Sequence, residues 1–274
     1  MGESLKQWQK RQGNQIQLGN AKLYKIGEDS DAGCGLPESK AHAPRGKPPG
    51  SPAPGMPFPI NPASHKSTTM IIDSFTGGMF ETNCFYLPES GILIDAPQES
   101  ADWLAREGFK VRLLLLTHGH VDHVWDAARI RREHACPVGC HPETVPMVSE
   151  PEFFRRFGFA VDVETFTPEL MINETPARDL GGIKFQVLEV PGHCPGSLCF
   201  LSKSEAVLFG GDVLFAGGVG RWDLPGGDQD LLFNGIKTKL FPLVDDIKVL
   251  PGHGPATTIG REKRENPFVG EGLS

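Results

Sequence analysis

The chain has 274 residues, a formal charge of −7 and a pI near 5.7, a length that allows one large domain or two small ones. Its acidic balance argues against a general polyanion binder, which needs clustered Lys and Arg. No run of about 18 apolar residues exists to span a membrane, and the N-terminus shows no apolar secretory core. The six cysteines (Cys34, Cys84, Cys136, Cys140, Cys194, Cys199) make no small-domain disulfide pattern in so long a chain, so free thiols in a reducing cytoplasm are expected.

The composition changes near residue 70. Early in the chain, "QIQLGNAKLYKI" has the marks of a small hairpin: Ile16 and Leu18 alternate, Gly19-Asn20 supplies a turn, and Leu23 and Ile26 follow. From Ser30 to Thr69 the text is mostly Pro, Gly, Ser, Ala and Lys, too poor in apolar residues to offset chain entropy. Residues 1–69 therefore read as a largely disordered extension. It carries nine Lys and Arg against five Asp and Glu, about +4, which leaves about −11 for residues 70–274.

From Met70 the pattern is that of a packed domain. "MIIDSF", "NCFYLP" and "GILIDAP" are short apolar strands between turn residues. "VRLLLLT" is a buried strand, and "VWDAARIRREH" is a helix with Val124, Ala127, Ala128 and Ile130 on its inner side. "KFQVLEV", "SLCFLS" and "AVLFGGDVLF" are further strands. "DQDLLFNGIKTKLFPL" is a helix with Asp228 as its N-cap, and "IKVLPGH" is a last strand. Two runs of strands, each followed by helices, fit an α/β sandwich of two mixed sheets with outer helices.

Four metal-grade side chains crowd the exit of the "LLLLT" strand: His118, His120, Asp122 and His123. The two histidines are two apart and can face one side, and the Asp–His pair opens the next helix and can point back. Imidazole and carboxylate suit Zn²⁺, Fe²⁺ or Mn²⁺. Three later positions follow the same grammar. His193 follows a strand in "VLEVPGHCPGS", Asp212 in "VLFGGDVLF" and His253 in "IKVLPGHGP". Seven ligands at strand ends suffice for two ions with one bridging carboxylate. Cys194 sits inside a turn and reads as a variable turn position. Cys84 and Cys199 read as core, and the spacing of His134, Cys136, Cys140 and His141 matches no standard zinc finger.

The order "THGHVDH", "PGHCPGS", "GGD", "PGH" resembles the metallo-β-lactamase fold superfamily. "GVGRWDLPGG" and "LPGHGPATTIGREKRENPF" resemble, more narrowly, the short single-domain relatives of glyoxalase II (hydroxyacylglutathione hydrolase). The likeness covers essentially Met70 to Phe268. It implies an αββα sandwich and a metal-dependent, glyoxalase II-like thioesterase. Carried over position by position, His118, His120 and His193 would hold one ion and Asp122, His123 and His253 the other. Asp212 would bridge both, and Asp122 would also handle protons. Asp95 in "LIDAP", where Ala96-Pro97 stands in place of the commoner Pro-Gly, would orient a ligand histidine. The implied cofactors are two divalent ions, zinc first, with iron or manganese as alternatives. The implied partner is a small glutathione-linked substrate, with no nucleic acid and no membrane.

Related chemistries fit less well. A β-lactamase would carry an export signal and would not use the Asp212 bridge. A nuclease would be more basic, and a flavodiiron protein needs a flavin domain. A lactonase of the same fold stays an alternative, and an inactive scaffold would have no reason to keep seven ligands. The nearest rival is a persulfide dioxygenase, which resembles the chain through "GVGRWD" but uses one iron. Full-length glyoxalase II has a C-terminal helical part that supplies much of its glutathione site, and here only about twenty residues follow His253. Arg221, in a glycine-flanked loop, is then the foremost candidate to bind a substrate carboxylate, ahead of Lys237, Lys239, Arg261 and Arg264.

Overall fold

The structure, a computed structural model, describes residues 22–25, 70–150, 152–156 and 163–272. Seven strands form one sheet in chain order: β1 (Lys22–Lys25), β2 (Ile71–Gly77), β3 (Thr82–Leu87), β4 (Ile92–Ile94), β5 (Leu113–Leu115), β6 (Val138–Cys140) and β7 (Leu170–Met171). The pairs from β1 to β4 are antiparallel and those from β4 to β7 parallel. The strands of a second, six-stranded sheet are β8 (Thr175–Leu180), β9 (Ile183–Glu189), β10 (Leu198–Ser202), β11 (Val207–Gly211), β14 (Lys248–Pro251) and β15 (Thr257–Thr258). They run in the order β15-β14-β11-β10-β9-β8. Only β11 and β14 pair in parallel there. A small hairpin, β12 (Leu214–Phe215) and β13 (Gly218–Val219), stands apart.

Side-chain alternation along the strands sorts the apolar residues into three layers. Phe85, Leu87, Ile92, Ile94, Leu113 and Leu115 of the first sheet meet Phe185, Val187, Phe200 and Phe209 of the second in a central core. The other faces of the same strands point outward: Cys84, Tyr86, Leu93 and Leu114 pack under α1 (Ser100–Glu107), α2 (Val121–Val124) and α3 (Ala127–His134). On the far side Cys199, Leu201, Leu208 and Val249 pack under α6 (Gln229–Gly235), a π-helical turn over Ile236–Leu240, and α7 (Ile259–Glu265). Two short helices, α4 (Val145–Ser149) and α5 (Phe153–Arg156), complete the first side. This is the expected αββα sandwich. No helix among the described residues is long and apolar enough to cross a membrane.

Several elements differ from the sequence reading. The helix expected from Val124 to His134 is two helices, α2 and α3, broken at Trp125-Asp126. The break has a cause: Asp126 N–H donates to Ala96 O, its carboxylate accepts from Ala101 N, and Ala96 N–H donates to His123 O. These bonds tie the helix start to the exit of β4. The four expected inner residues of this region are all buried. Asp228 does cap α6, accepting from Leu231 N at 3.0 Å. The Lys22–Lys25 segment pairs with Ile71–Ser74. The Ile16–Leu18 strand and Gly19-Asn20 turn of the expected hairpin, Ile26, and the Pro-rich segment to Thr69 lie outside the described residues.

Candidate metal centre

Strand ends supply the site. Asp95 follows β4, Thr117 and His118 follow β5, His193 follows β9, Asp212 follows β11 and His253 follows β14. His120 is the N-cap of α2, and Asp122 and His123 lie in its only turn. Loop bonds draw the two sheets together at this edge. Leu198 N–H donates to Thr117 O and Asn83 N–H to Gly252 O across the sheets, and Gly252 N–H donates to Gly211 O within the second. Asn83 Nδ2 also holds Pro251 O (3.0 Å) and Gly254 O (2.9 Å), fixing the turn that carries His253.

Two of the glycines are required by proximity. A Cβ on Gly252 would lie 2.2 Å from Asp212 Oδ1 and 2.6 Å from His123 Cε1. Gly211 has φ +49°, and a Cβ there would lie 2.6 Å from Thr117 Oγ1. Neither site admits a side chain without displacing the residues around the centre.

All seven expected ligand side chains converge. His118, His120 and His193 form one group whose ligand atoms lie within 4.8 Å of one another; Asp122, His123 and His253 form a second; His118, His123 and Asp212 form a third that links them. His193 Nε2 is 2.8 Å from His120 Nδ1 and 3.2 Å from His118 Nε2. Asp212 stands between the groups, with Oδ2 3.4 Å from His193 Nε2 and 3.3 Å from His253 Nε2. Asp122 Oδ2 lies 3.2 Å from His253 Nε2 and accepts from Thr82 Oγ1 at 2.8 Å.

The ring tautomers follow from the outer partners. His193 Nδ1 faces Arg221 O at 2.7 Å, His253 Nδ1 faces Phe80 O at 3.0 Å, and His123 Nδ1 faces Asp95 Oδ2 at 2.8 Å. Each partner only accepts, so each Nδ1 carries a hydrogen, and in the neutral ring each Nε2 turns a lone pair inward. Thr117 Oγ1 donates to Asp95 Oδ2 (2.8 Å), so it accepts from His118 Nδ1 (3.1 Å). Asp95 is the hub: its Oδ1 also accepts Thr117 N–H at 2.8 Å, and its backbone sits at φ +61°.

This arrangement is self-repelling without a cation. The Nε2 atoms of His118 and His193 face each other, and those of His123 and His253 face carboxylates that call for a proton or a metal ion between them. His123 Nε2 and Asp212 Oδ1 are buried with no hydrogen-bond partner among the described residues, although they lie 3.3 Å apart. They are at ion-pair distance without hydrogen-bond alignment, as atoms aimed at a common point would be. Burial and the neighbouring His193 hold His120 down to about 3, and burial with His123 and His120 holds His118 well below its usual range. For His253 burial opposes charge, but Asp212 and Asp122 outweigh it and lift the ring to about 10. His123 is likewise raised by Asp212, Asp122 and Asp95 against its burial. The carboxylates thus demand positive charge, and the donor set of imidazoles and carboxylates fits divalent metal ions.

The other sequence candidates fall elsewhere. The Arg221 guanidinium pairs with Asp223 through Nε and Nη2, both at 2.7 Å, using one edge of its fork. Cys194 is buried against Met147, its Sγ 3.7 Å from the thioether, and burial pushes its thiol up to about 12. His134, Cys136, Cys140 and His141 form no convergent group among the described residues. His134 Nδ1 instead accepts from Val111 N, and His141 Nδ1 accepts from Glu143 N. Sequence reasoning missed Thr82, Thr117 and the Phe80 and Arg221 carbonyls. Thr117 adjoins His118 in the motif, but the carbonyls have no sequence signature.

A sequence profile described as Metallo-beta-lactamase superfamily matches residues 63–253. The chain is 39% identical over 199 residues to hydroxyacylglutathione hydrolase GloC of Haemophilus influenzae, covering 69% of this chain and 93% of that one. The crystal structure of BLEG-1 B3 metallo-beta-lactamase superposes with a TM-score of 0.67 at 33% identity, over 72% of this chain and 99% of the other. That of TTHA1623 in a di-iron-bound form gives 0.62 at 38% identity, over 71% and 98%.

Proposed function

The chain belongs to the metallo-beta-lactamase superfamily of metallo-hydrolases, and from that premise we propose a dinuclear metal-dependent thioesterase acting on a small thioester of the hydroxyacylglutathione class. The observation that carries the dinuclear part is Asp212, within 3.4 Å of His193 in one ligand group and 3.3 Å of His253 in the other. The likeness to a hydroxyacylglutathione hydrolase over nearly all of that relative supports the substrate class. Zinc suits the nitrogen and oxygen donors, as do iron and manganese, and a similar solved structure is di-iron-bound.

His118, His120 and His193 would hold one ion, and Asp122, His123 and His253 the other. When bound, such a pair supplies a hydroxide at neutral pH and stabilises the developing oxyanion. The chain's own part is to fix the geometry. Asp95, Thr117 and the Phe80 and Arg221 carbonyls lock four rings in the required tautomers. Asp122 would handle the proton: its side-chain exposure of 17% against 9% for Asp212 makes it the more open of the two carboxylates. A thiolate leaves with little protonation, since a thiol pKa is near 8.5. A cysteine nucleophile is not required, and the Cys194 thiol stays protonated at neutral pH.

Assay with S-lactoylglutathione, and with glutathione persulfide under an oxygen electrode, tests this reading. Thioester cleavage without oxygen uptake is expected. Oxygen uptake by a one-iron protein would replace it with the persulfide dioxygenase reading.

Arg221 is proposed to bind a substrate carboxylate with the edge of its guanidinium turned away from Asp223. Arg221→Ala keeps the backbone carbonyl that holds His193. It is therefore expected to raise KM for a glutathione thioester several-fold more than for an uncharged thioester, with kcat little changed. Equal effects on both substrates would assign Arg221 to loop structure alone.

The catalytic unit is proposed to be residues 70–274, with 1–69 an extension. A chain starting at Met70 gives up the β1 pairing with Ile71–Ser74 but keeps all seven expected ligands and every residue that the three core clusters show among the described residues. It is expected to fold, bind the same ions and keep most activity. Loss of bound metal on truncation would place the boundary earlier.

A further inference from the structure

Glu262 and Asn266 are polar, four residues apart around α7, and each only 1% exposed. A carboxylate so buried must have its oxygens paired. Oε1 accepts from Thr257 Oγ1, and Oε2 accepts from Asn266 Nδ2 (2.9 Å) and from the backbone N–H of Gly217 (2.9 Å). Asn266 Nδ2 also donates to Gly218 O at 2.9 Å, while its Oδ1 accepts from Phe268 N and Val269 N. Among the described residues the ion-pair partner of Glu262 is Arg261, which stands 3.9 Å away and is half exposed, so water screens it. Two of these six bonds, one from each residue, hold one target, the Gly217-Gly218 end of the β12–β13 hairpin.

That hairpin has two residues in each strand, too few to hold a shape alone. Both of its feet belong to the metal centre. The first strand leaves Asp212 two residues upstream. The second leads through Gly220 to Arg221, whose carbonyl faces His193 Nδ1. Gly220 N–H closes on Val213 O, and a Cβ on Gly220 would lie 1.9 Å from Asp212 O, so the feet are in contact. Phe215, on the hairpin, sets its ring edge-on to His253 at 6.1 Å. A shift at the tip therefore moves the shared carboxylate and the support of His193 together.

We propose that Glu262 and Asn266 are positioning residues for the ion held by His118, His120 and His193, acting through the β12–β13 hairpin. This rests on the dinuclear reading above. Glu262→Gln keeps an acceptor for Gly217 N–H and Asn266 Nδ2 in its amide oxygen, and its amide nitrogen can donate to the Thr257 hydroxyl, which also accepts, reversing that one bond. Glu262→Ala leaves the buried Gly217 N–H without its acceptor.

The test is Co²⁺ titration of metal-depleted full-length protein, followed by visible absorption, with circular dichroism and melting curves alongside. His193→Ala supplies the spectrum of a damaged first centre. Wild type is expected to take up two ions. Glu262→Ala and Asn266→Ala are expected to stay folded and to bind the first-centre ion about tenfold or more weakly, as for other residues that orient ligands, with spectra shifted toward that of His193→Ala. Glu262→Gln is expected to fall within about twofold of wild type by the bond count above. If Glu262→Ala does not fold, Asn266→Ala carries the same comparison. Alanine variants that bind two Co²⁺ ions with wild-type affinity and spectrum, losing only thermal stability, would overturn the proposal. Fewer than two ions on the wild type would sink the dinuclear reading, and with it this one.

Discussion

Asp212→Ala is expected to abolish measurable thioester hydrolysis and to lower the bound metal from two ions to one or fewer. Residues that merely orient a ligand cost about 10–100-fold when changed, so a shared ligand is expected to cost roughly 10³-fold or more. The side chain is well placed for that effect. It is buried, its oxygens face His123, His193 and His253, and the chain forbids substitutes nearby because Gly252 sits against Oδ1. Burial would raise its carboxyl, but His253 and His123 outweigh this and hold it well below the usual carboxylate range. Without it the two ligand groups lose the carboxylate that stands between them. Unchanged metal content with a near-normal rate would remove Asp212 from the bridging role. His253→Ala offers the contrast: the second ion should be lost first, and equal loss of both would mean the groups are not separable.

Asp95→Asn is expected to be the most damaging change outside the seven ligands. Asp95 accepts three hydrogen bonds, from Thr117 N–H, Thr117 Oγ1 and His123 Nδ1, and an amide can accept on one atom only. Either a Thr117 donor or the His123 N–H must then face an NH₂ group. Each buried donor left unmatched costs about 1–3 kcal/mol, and the His123 tautomer is no longer fixed. Asparagine tolerates the left-handed backbone at this position (φ +61°), so the damage falls on the site and not on the turn. A loss of roughly 10–100-fold in affinity for the second ion is expected, read by competition with a chelator. Wild-type affinity would show that Asp95 plays no part in orienting His123.

What the sequence made legible was periodicity and ligand grammar. The strands of "NCFYLP", "SLCFLS" and "AVLFGG" alternate between the central and outer cores because neighbouring side chains point to opposite faces, and both faces are apolar. The seven ligand positions stand out because His and Asp after an apolar run have few other reasons to be there. Local polar text hid the rest. Helix α1, Ser100–Glu107, buries Trp103 and Leu104 but reads as mixed polar sequence. Strands β6 and β7 are three and two residues long. The pairing of Lys22–Lys25 with Ile71–Ser74 spans a long gap that no local pattern encodes. The supports of His193 and His253 are backbone carbonyls, which every residue possesses. Glu262 lies in "GREKRE", which reads as a solvated charged face, yet tertiary packing buries it.

The central claim is that two ions sharing Asp212 are both needed for hydrolysis. Titrating Zn²⁺ into metal-depleted protein while recording S-lactoylglutathione cleavage tests it most directly. Activity is expected to rise to a break at two equivalents per chain, with little rate at one. Full activity at a single equivalent would contradict the claim.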